Sequence, residues 1–528
     1  MGGRDHRGAE AHAEPRARPH ARHHLLVRAV GAQHRPPHGR DHHAGWREGA
    51  SSVAAPEHRT PPRRCPLIAE ATAPVAARAS GPPAPRLRLL GLVFVLYFTV
   101  SGGAFTLETL VATVGPVIAL SALIVIPVFW AIPEALLIGE LASMLPVEGG
   151  YYRWVQRAFG DGWGFQNAWC TWLYSLVEMS LYPAIVIQYL GAFAPGLTRG
   201  WIVLVTLVVI WVPTLLNLRG AVPVGRVSVL IGILVLACFG LLALFALPRI
   251  THAPWATLGP TEPVRWSSLG TGLSLALWNW IGWDNASTVC GEIEDAERTY
   301  PRALALAVPL VALGYLVPLL PALAADDWRT WREGGWPDIA RAVAGPAGPP
   351  LAVAIIVLAM LSATAMFNSL LLAYSRIPLI VARDGLLPRW LAVTDTRGVP
   401  RRSILLASTL YSGIALLPFS ELISADVLLY AVALALEFAA LIRLRRTEPT
   451  LRGSFRLPIG RGGLVLLALC PMVILVGVSA LELQAGEFGG RALLVAAATA
   501  AAGPLVFTAL ARRRERGRAT SAAPPSRG

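Results

Sequence analysis

The sequence predicts an all-α integral membrane protein of about 12 transmembrane helices. Three observations lead there. Of 528 residues, 54% are hydrophobic and only 15% charged, against about a quarter in soluble domains. From about residue 87 to 511 the chain is a series of apolar runs, each about 18–30 residues, long enough to cross a ~30 Å hydrocarbon core as helices. The charges fall in the gaps, and they are distributed unevenly between alternate gaps.

Twelve runs are counted, at approximately 87–113, 116–145, 163–194, 201–218, 224–248, 267–290, 302–324, 349–381, 403–420, 422–444, 463–484 and 490–511. Lipid-exposed backbone must bond to itself, which leaves helices or a closed barrel. Barrel strands are about 10 residues long and strictly alternating. These runs are longer and apolar all round, so they are read as helices.

Orientation follows from the Arg residues, which make up all 46 basic positions because the chain has no Lys. With the N-terminus cytoplasmic, the inner loops hold 18 Arg and the outer loops seven. Both Arg-rich tails, with fifteen Arg in the first 88 residues and six after Ala511, also fall inside. The positive-inside rule therefore predicts a multi-pass cell-membrane protein with both termini cytoplasmic. The net charge of +14 is accounted for by these flanks and implies no nucleic-acid partner. The longest outer loop, near 325–347, carries Trp328, Trp331 and Trp336 and predicts an interfacial helix with Trp at headgroup level.

Three domains are expected. Residues 1–85, rich in Arg, His, Pro, Ala and Gly, read as a disordered cytoplasmic tail or an over-extended start. Residues 86–511 form the membrane domain, and 512–528 a basic cytoplasmic tail. The five Cys are far apart and are expected to pack as small apolar residues, with no disulfide or metal site.

Two runs break their own pattern. The first, VFVLYFTVSGGAFTLETL, has Ser101, Gly102 and Gly103 near its middle. Adjacent Gly favour unwinding, which a membrane tolerates only inside protein or along a cavity; close helix packing is the other use of such residues. The sixth, LALWNWIGWDNASTVCGEIEDAERTYPRAL, places Asn279, Gly282, Asp284 and Asn285 in an apolar helix. A carboxylate at that depth is costly and marks either a functional site or a buried polar pair. The breaks lie five spans apart, and an odd-numbered repeat inverts its copy. Interrupted helices at matching positions of two halves point to a transporter binding site. Other buried acids are Glu108 beyond the first break, Glu134 and Glu140 in span two, Glu178 at mid-span three and Glu437 in span ten. Glu134 and Glu140 serve either the cavity or bonding within the bundle.

The sequence holds no Walker loop, dinucleotide fingerprint or HExxH, so ATP is not the obvious energy source and no cofactor is implied. A membrane enzyme would need grouped His, Ser or metal ligands, yet the only His after residue 58 is His252. A non-transporting sensor would need a folded soluble domain, and none is visible.

SGGAF in span one, IPEALLIGELASMLPVEGGYYRWVQRAFG after it, GFQNAW and LYP in span three, and WNWIGWDNAST with GEIEDAERTYPRAL at span six resemble the amino acid–polyamine–organocation superfamily. The resemblance covers about residues 87–460 and is closest to the plant-type polyamine and L-type amino acid branch. It implies a leucine-transporter-type fold with a five-plus-five inverted repeat and broken helices one and six. It implies a secondary transporter of amino acids or polyamines, with proton symport or, alternatively, amino acid exchange. Substrate contacts are expected from Ser101, Gly102, Gly103, Ala104, Glu178, Trp278, Asn279 and Gly282, with Trp278 as a lid. Proton coupling is expected from Asp284, Glu108 and Glu134.

Two departures matter. The polyamine branch usually has Pro after the double Gly; Ala104 here restores an N–H donor that suits a carboxylate, leaning toward amino acids. Many members carry a Lys in span five, and this chain has none, so coupling falls to carboxylates.

Overall fold

The computed structural model describes residues 86–191, 193, 196–255, 266–416, 423–485 and 489–522. The N-terminal tail expected over 1–85 lies outside them. No strand forms among the described residues; one isolated bridge joins Leu87 to Ile293.

The first apolar run gives α1 (Leu89–Val100), an unwound stretch, then α2 (Leu107–Ile126). Helix α2 turns sharply at Gly115, whose φ of 78° precedes Pro116, and a π-helical turn at Pro127–Ala131 leads into α3 (Ile132–Met144). The Gly–Pro pair turns the chain without a loop, because Gly takes the left-handed geometry and Pro begins a new helix. Runs one and two, read as separate spans, are thus joined by a bend alone.

A short α4 (Gly150–Phe159) precedes α5 (Asp161–Gly191), α6 (Arg199–Asn217) and α7 (Ala221–Ala246). Helix α8 (Trp266–Trp278) stops at the second break, and a 3-10 segment, Asn285–Glu292, continues it. Then come α9 (Ala296–Ala325), α10 (Trp336–Val343), α11 (Gly348–Tyr374), α12 (Arg376–Arg383), α13 (Arg401–Ile414), α14 (Ile423–Thr447), α15 (Arg461–Ala485) and α16 (Gly489–Ala522). The last helix runs past Ala511, where the sequence reading begins a tail.

Among the described residues, eight helical stretches are long and apolar enough to cross a membrane. Helices α1 and α8, of 12 and 13 residues, reach only about 20 Å each and cannot cross alone. They are the two that the Gly-containing breaks interrupt.

Helix α11 packs against α5 and α7, α14 against α5, and α9 against both α1 and α3. Helix α1 is buried from Leu92 to Val100, so the first break sits at the centre of the bundle. Helices α15 and α16 lie at the periphery, with Val473 68% and Leu505 72% exposed. An apolar surface of that kind is ordinary against lipid.

The loop near 325–347 does contain a helix, α10, and two of its Trp residues pack inside the protein. Trp336 is fully buried and Trp331 nearly so. The indole N–H of Trp336 donates to the carbonyl of Ala104 at 2.7 Å, so the loop folds into the bundle over the first break. A freed carbonyl inside the bundle needs a donor, and this indole supplies it.

Candidate functional site

The first break is held open by side chains from elsewhere. Helix α1 ends with Ser101 N–H donating to the carbonyl of Tyr97 at 2.7 Å. Gly103 follows at φ 105°, and a Cβ there would meet Val235 at 2.7 Å. Its N–H donates to Ser101 Oγ at 3.1 Å. The Gly102 carbonyl takes the hydroxyl of Ser362 from α11, and the Ala104 carbonyl takes Trp336. Among the described residues no protein acceptor takes the amides of Gly102 or Ala104. Ser101 and Gly103 therefore shape the break, while Gly102 and Ala104 keep free donors.

The second break crosses the first. Gly282 has φ 104°, and a side chain on it would run into the Thr99 carbonyl. Asn279 ties the two breaks together: its amide donates to Leu275 O at 2.8 Å and to Thr106 Oγ1 at 3.1 Å. The hydroxyl of Tyr315, from α9, donates to the Asn279 carbonyl at 2.7 Å.

Between the breaks and the Arg-poor end lies a cavity of about 110 Å³. Of the expected substrate residues, Gly102, Trp278 and Asn279 line it; Ser101, Gly103, Ala104, Glu178 and Gly282 stand outside its lining. Glu108 also lines it, together with Glu333, Thr106, Gln188, Tyr189 and Ser362. Its lining includes two carboxylates and no basic side chain.

The residues expected to couple protons separate into two places. Glu134 and Asp284 meet at Tyr430, which donates to or accepts from Glu134 Oε1 at 2.6 Å and Asp284 Oδ1 at 2.8 Å. The Gly282 amide donates to the same phenol oxygen at 2.9 Å, and the Trp283 amide donates to Glu134 Oε1 at 3.1 Å. A phenol has one hydrogen, so it can donate to only one of two carboxyls. The second contact is favourable only when that carboxyl carries a proton and donates back. Glu437, seven residues after Tyr430 on α14, is fully buried and accepts from Asn167 Nδ2 at 3.2 Å. Glu108 is not part of this group.

Glu178 accepts the hydroxyl of Tyr182 at 3.0 Å and that of Tyr374. Glu140 is different in kind: it pairs with Arg445 and accepts the Leu457 amide at 3.0 Å, so it joins α3 to α14. Buried Arg376 is likewise claimed, by Glu292 at 2.7 Å. Among the described residues no ion pair reaches Glu108, Glu134, Glu178, Asp284 or Glu437.

Sequence reasoning missed Tyr430, Thr106, Ser362, Trp336 and Glu333. A seven-residue spacing puts Tyr430 and Glu437 on one helical face, a readable signal. Nothing local marks Trp336 as a plug rather than an interfacial residue.

The family model described as an amino acid permease matches residues 87–497. A probable polyamine transporter of Arabidopsis thaliana is 34% identical over 400 residues, covering 75% of this chain and 79% of the relative. A polyamine transporter of Oryza sativa subsp. japonica is 34% identical over 413 residues, 76% of each chain. A branched-chain amino acid permease of Lactococcus lactis subsp. cremoris is 23% identical over 349 residues, 61% of this chain and 74% of the relative.

Proposed function

The chain belongs to the amino acid permease family and is a transporter, and we propose that it carries polyamines or amino acids across the cell membrane by proton symport. In this reading twelve helices span the membrane and both termini are cytoplasmic. The first ten spans form two inverted five-span halves, whose equivalent members are the helices broken at Ser101–Ala104 and at Asn279–Asp284. The relatives named as polyamine transporters favour a cationic substrate, as does the acidic lining of the cavity.

The observation that carries proton coupling is the Asp284–Tyr430–Glu134 group. Its phenol also holds the Gly282 amide, so proton loss there rearranges a hydrogen bond on the break itself. Gly102, Trp278 and Asn279 form the walls around the substrate, with Ser101, Gly103, Ala104 and Gly282 setting the backbone behind them and Trp278 as the lid. Glu178, held by two tyrosines, sets the charge of the inner region.

The test is uptake into proteoliposomes of labelled putrescine, spermidine, leucine and arginine, with and without an imposed pH gradient. Gradient-driven accumulation is expected. Equal uptake with and without the gradient, requiring substrate on the far side, would instead establish exchange. Free amides at Gly102 and Ala104, which suit a carboxylate, favour amino acids among the candidate substrates.

A further inference from the structure

Glu108 sits at the beginning of α2, 1% exposed, on the wall of the cavity. One carboxylate oxygen accepts the Gly334 amide at 3.1 Å and faces the Tyr189 hydroxyl at 3.5 Å. The other oxygen, Oε2, is buried with no hydrogen-bond partner. A buried carboxylate oxygen without a donor is costly, and a site that repeatedly loads and releases a donor explains why one is left. No basic side chain lines the cavity, so no protein cation is placed to neutralise that oxygen. Glu333, the residue before Gly334, is exposed and lines the same cavity, so a second carboxylate stands beside the first. Trp278, Tyr189 and Phe105 add aromatic walls, which attract a cation through their faces.

We infer that Glu108 and Glu333 form an ammonium site, in which exposed Glu333 attracts a cationic amine and buried Glu108 Oε2 accepts its N–H hydrogen bond. This rests on the transport reading for its purpose, but it assigns Glu108 to the substrate and not to the proton. An ammonium end has three donors. Glu108 Oε2 takes one, and the Gln188 and Thr106 oxygens of the same cavity are available to the others. The remaining aliphatic chain lies along Phe105, Trp278 and Met366.

The experiment separates binding from transport. The purified full chain in detergent is titrated with spermidine, putrescine and leucine, with ligand-induced shift in melting temperature as the readout, and uptake is measured in parallel. Glu108→Gln is expected to weaken spermidine binding by about tenfold to hundredfold, the worth of a hydrogen bond to a charged group, with gradient dependence of residual uptake intact. Glu333→Gln is expected to weaken it about twofold to threefold, an effect that disappears at high salt because the group is exposed. Spermidine stabilisation lost in Glu108→Gln supports the site even where wild-type uptake is nil, in which case only the transport reading falls. Unchanged amine affinity in Glu108→Gln, or no stabilisation of wild type by any amine, overturns the site whatever the uptake shows. Loss of gradient dependence with amine affinity intact overturns it too and returns Glu108 to proton coupling. Should Glu108→Gln fail to fold, unchanged amine affinity in Glu333→Gln at low salt overturns the pair.

Discussion

Gly282 lies directly against the carbonyl oxygen of Thr99, with no space for a side chain between them. The two interrupted helices therefore touch backbone to backbone, and the residue at the contact also has φ 104°. Replacing Gly282 with Ala meets both obstacles at once. The backbone geometry alone costs about 1–3 kcal/mol for a non-Gly residue. Gly282→Ala is expected to lower the melting temperature in detergent and abolish uptake. Wild-type melting and uptake would mean the breaks have more freedom than their contact implies.

Tyr430 joins Asp284, Glu134 and the Gly282 amide through one oxygen. Tyr430→Phe keeps the ring and deletes the node. Uptake by this variant is expected to lose its dependence on the pH gradient while substrate-induced stabilisation persists. Asp284→Asn is expected to do the same, since Asn preserves shape and cannot titrate. If both variants keep full gradient dependence, the proton travels through other groups, with Glu437 the nearest unused buried carboxyl on the same helix as Tyr430.

The fold was largely legible because membranes impose it. Apolar runs and Gly residues within them each report a local constraint, so the breaks at Gly102–Gly103 and Gly282 are visible in one dimension. Grouping was less legible. Glu108, Glu134 and Asp284 read alike as acids in apolar helices, yet Glu108 faces a cavity and the other two share a phenol from a distant helix. Glu134 and Glu140, six residues apart on one helix, differ as much: Glu140 has Arg445 and Glu134 has no cation. Trp336 looked interfacial because its neighbours are polar; it is buried because the Ala104 carbonyl needs a donor. These outcomes depend on partners more than 100 positions away.

Asp395, in the loop before α13, accepts the amides of Arg397 and Val399, each at 2.9 Å, and Arg401 Nε at 2.9 Å. Burial works against its ionisation, but the two amides and the Arg401 charge outweigh it, so its carboxyl is held below the usual range. A depressed carboxyl contributes stability above its unfolded value, near pH 4, and loses it as pH falls through the folded value. Asp395→Asn is expected to speed proteolysis of the 384–400 loop at pH 7 and to have a much smaller effect near pH 3. An equal effect at both pH values would show that charge is not what orders the loop.

Asp384 closes the Arg-rich end of the bundle. It accepts from Arg153 Nη1 at 2.8 Å, Gln156 Nε2 at 2.8 Å and the Tyr152 hydroxyl, which pins α4 to the end of α12. The start of α4 is in turn fastened to the 3-10 segment that follows the second break: the Gly149 amide donates to Thr288 O at 2.9 Å and the Tyr151 amide to Ser287 Oγ at 3.3 Å. Opening that end requires α4 to leave the 3-10 segment, and Asp384 resists this from the other side. Arg153 and Asp384 are 24% and 15% exposed, so the pair is only partly screened by solvent. Asp384→Asn removes the charge and leaves Arg153 without its counter-ion, which costs more than the loss of one neutral hydrogen bond. The expected result is a shift toward conformations open at this end. Cys290, 2% exposed within the 3-10 segment, reports it. In a background where Cys290 is the only Cys, a membrane-permeant maleimide should label Asp384→Asn several-fold faster than the parent, with melting temperature little changed. Equal labelling rates would show Asp384 to be a surface tie that takes no part in opening, and a large fall in melting temperature would show it to be a folding contact.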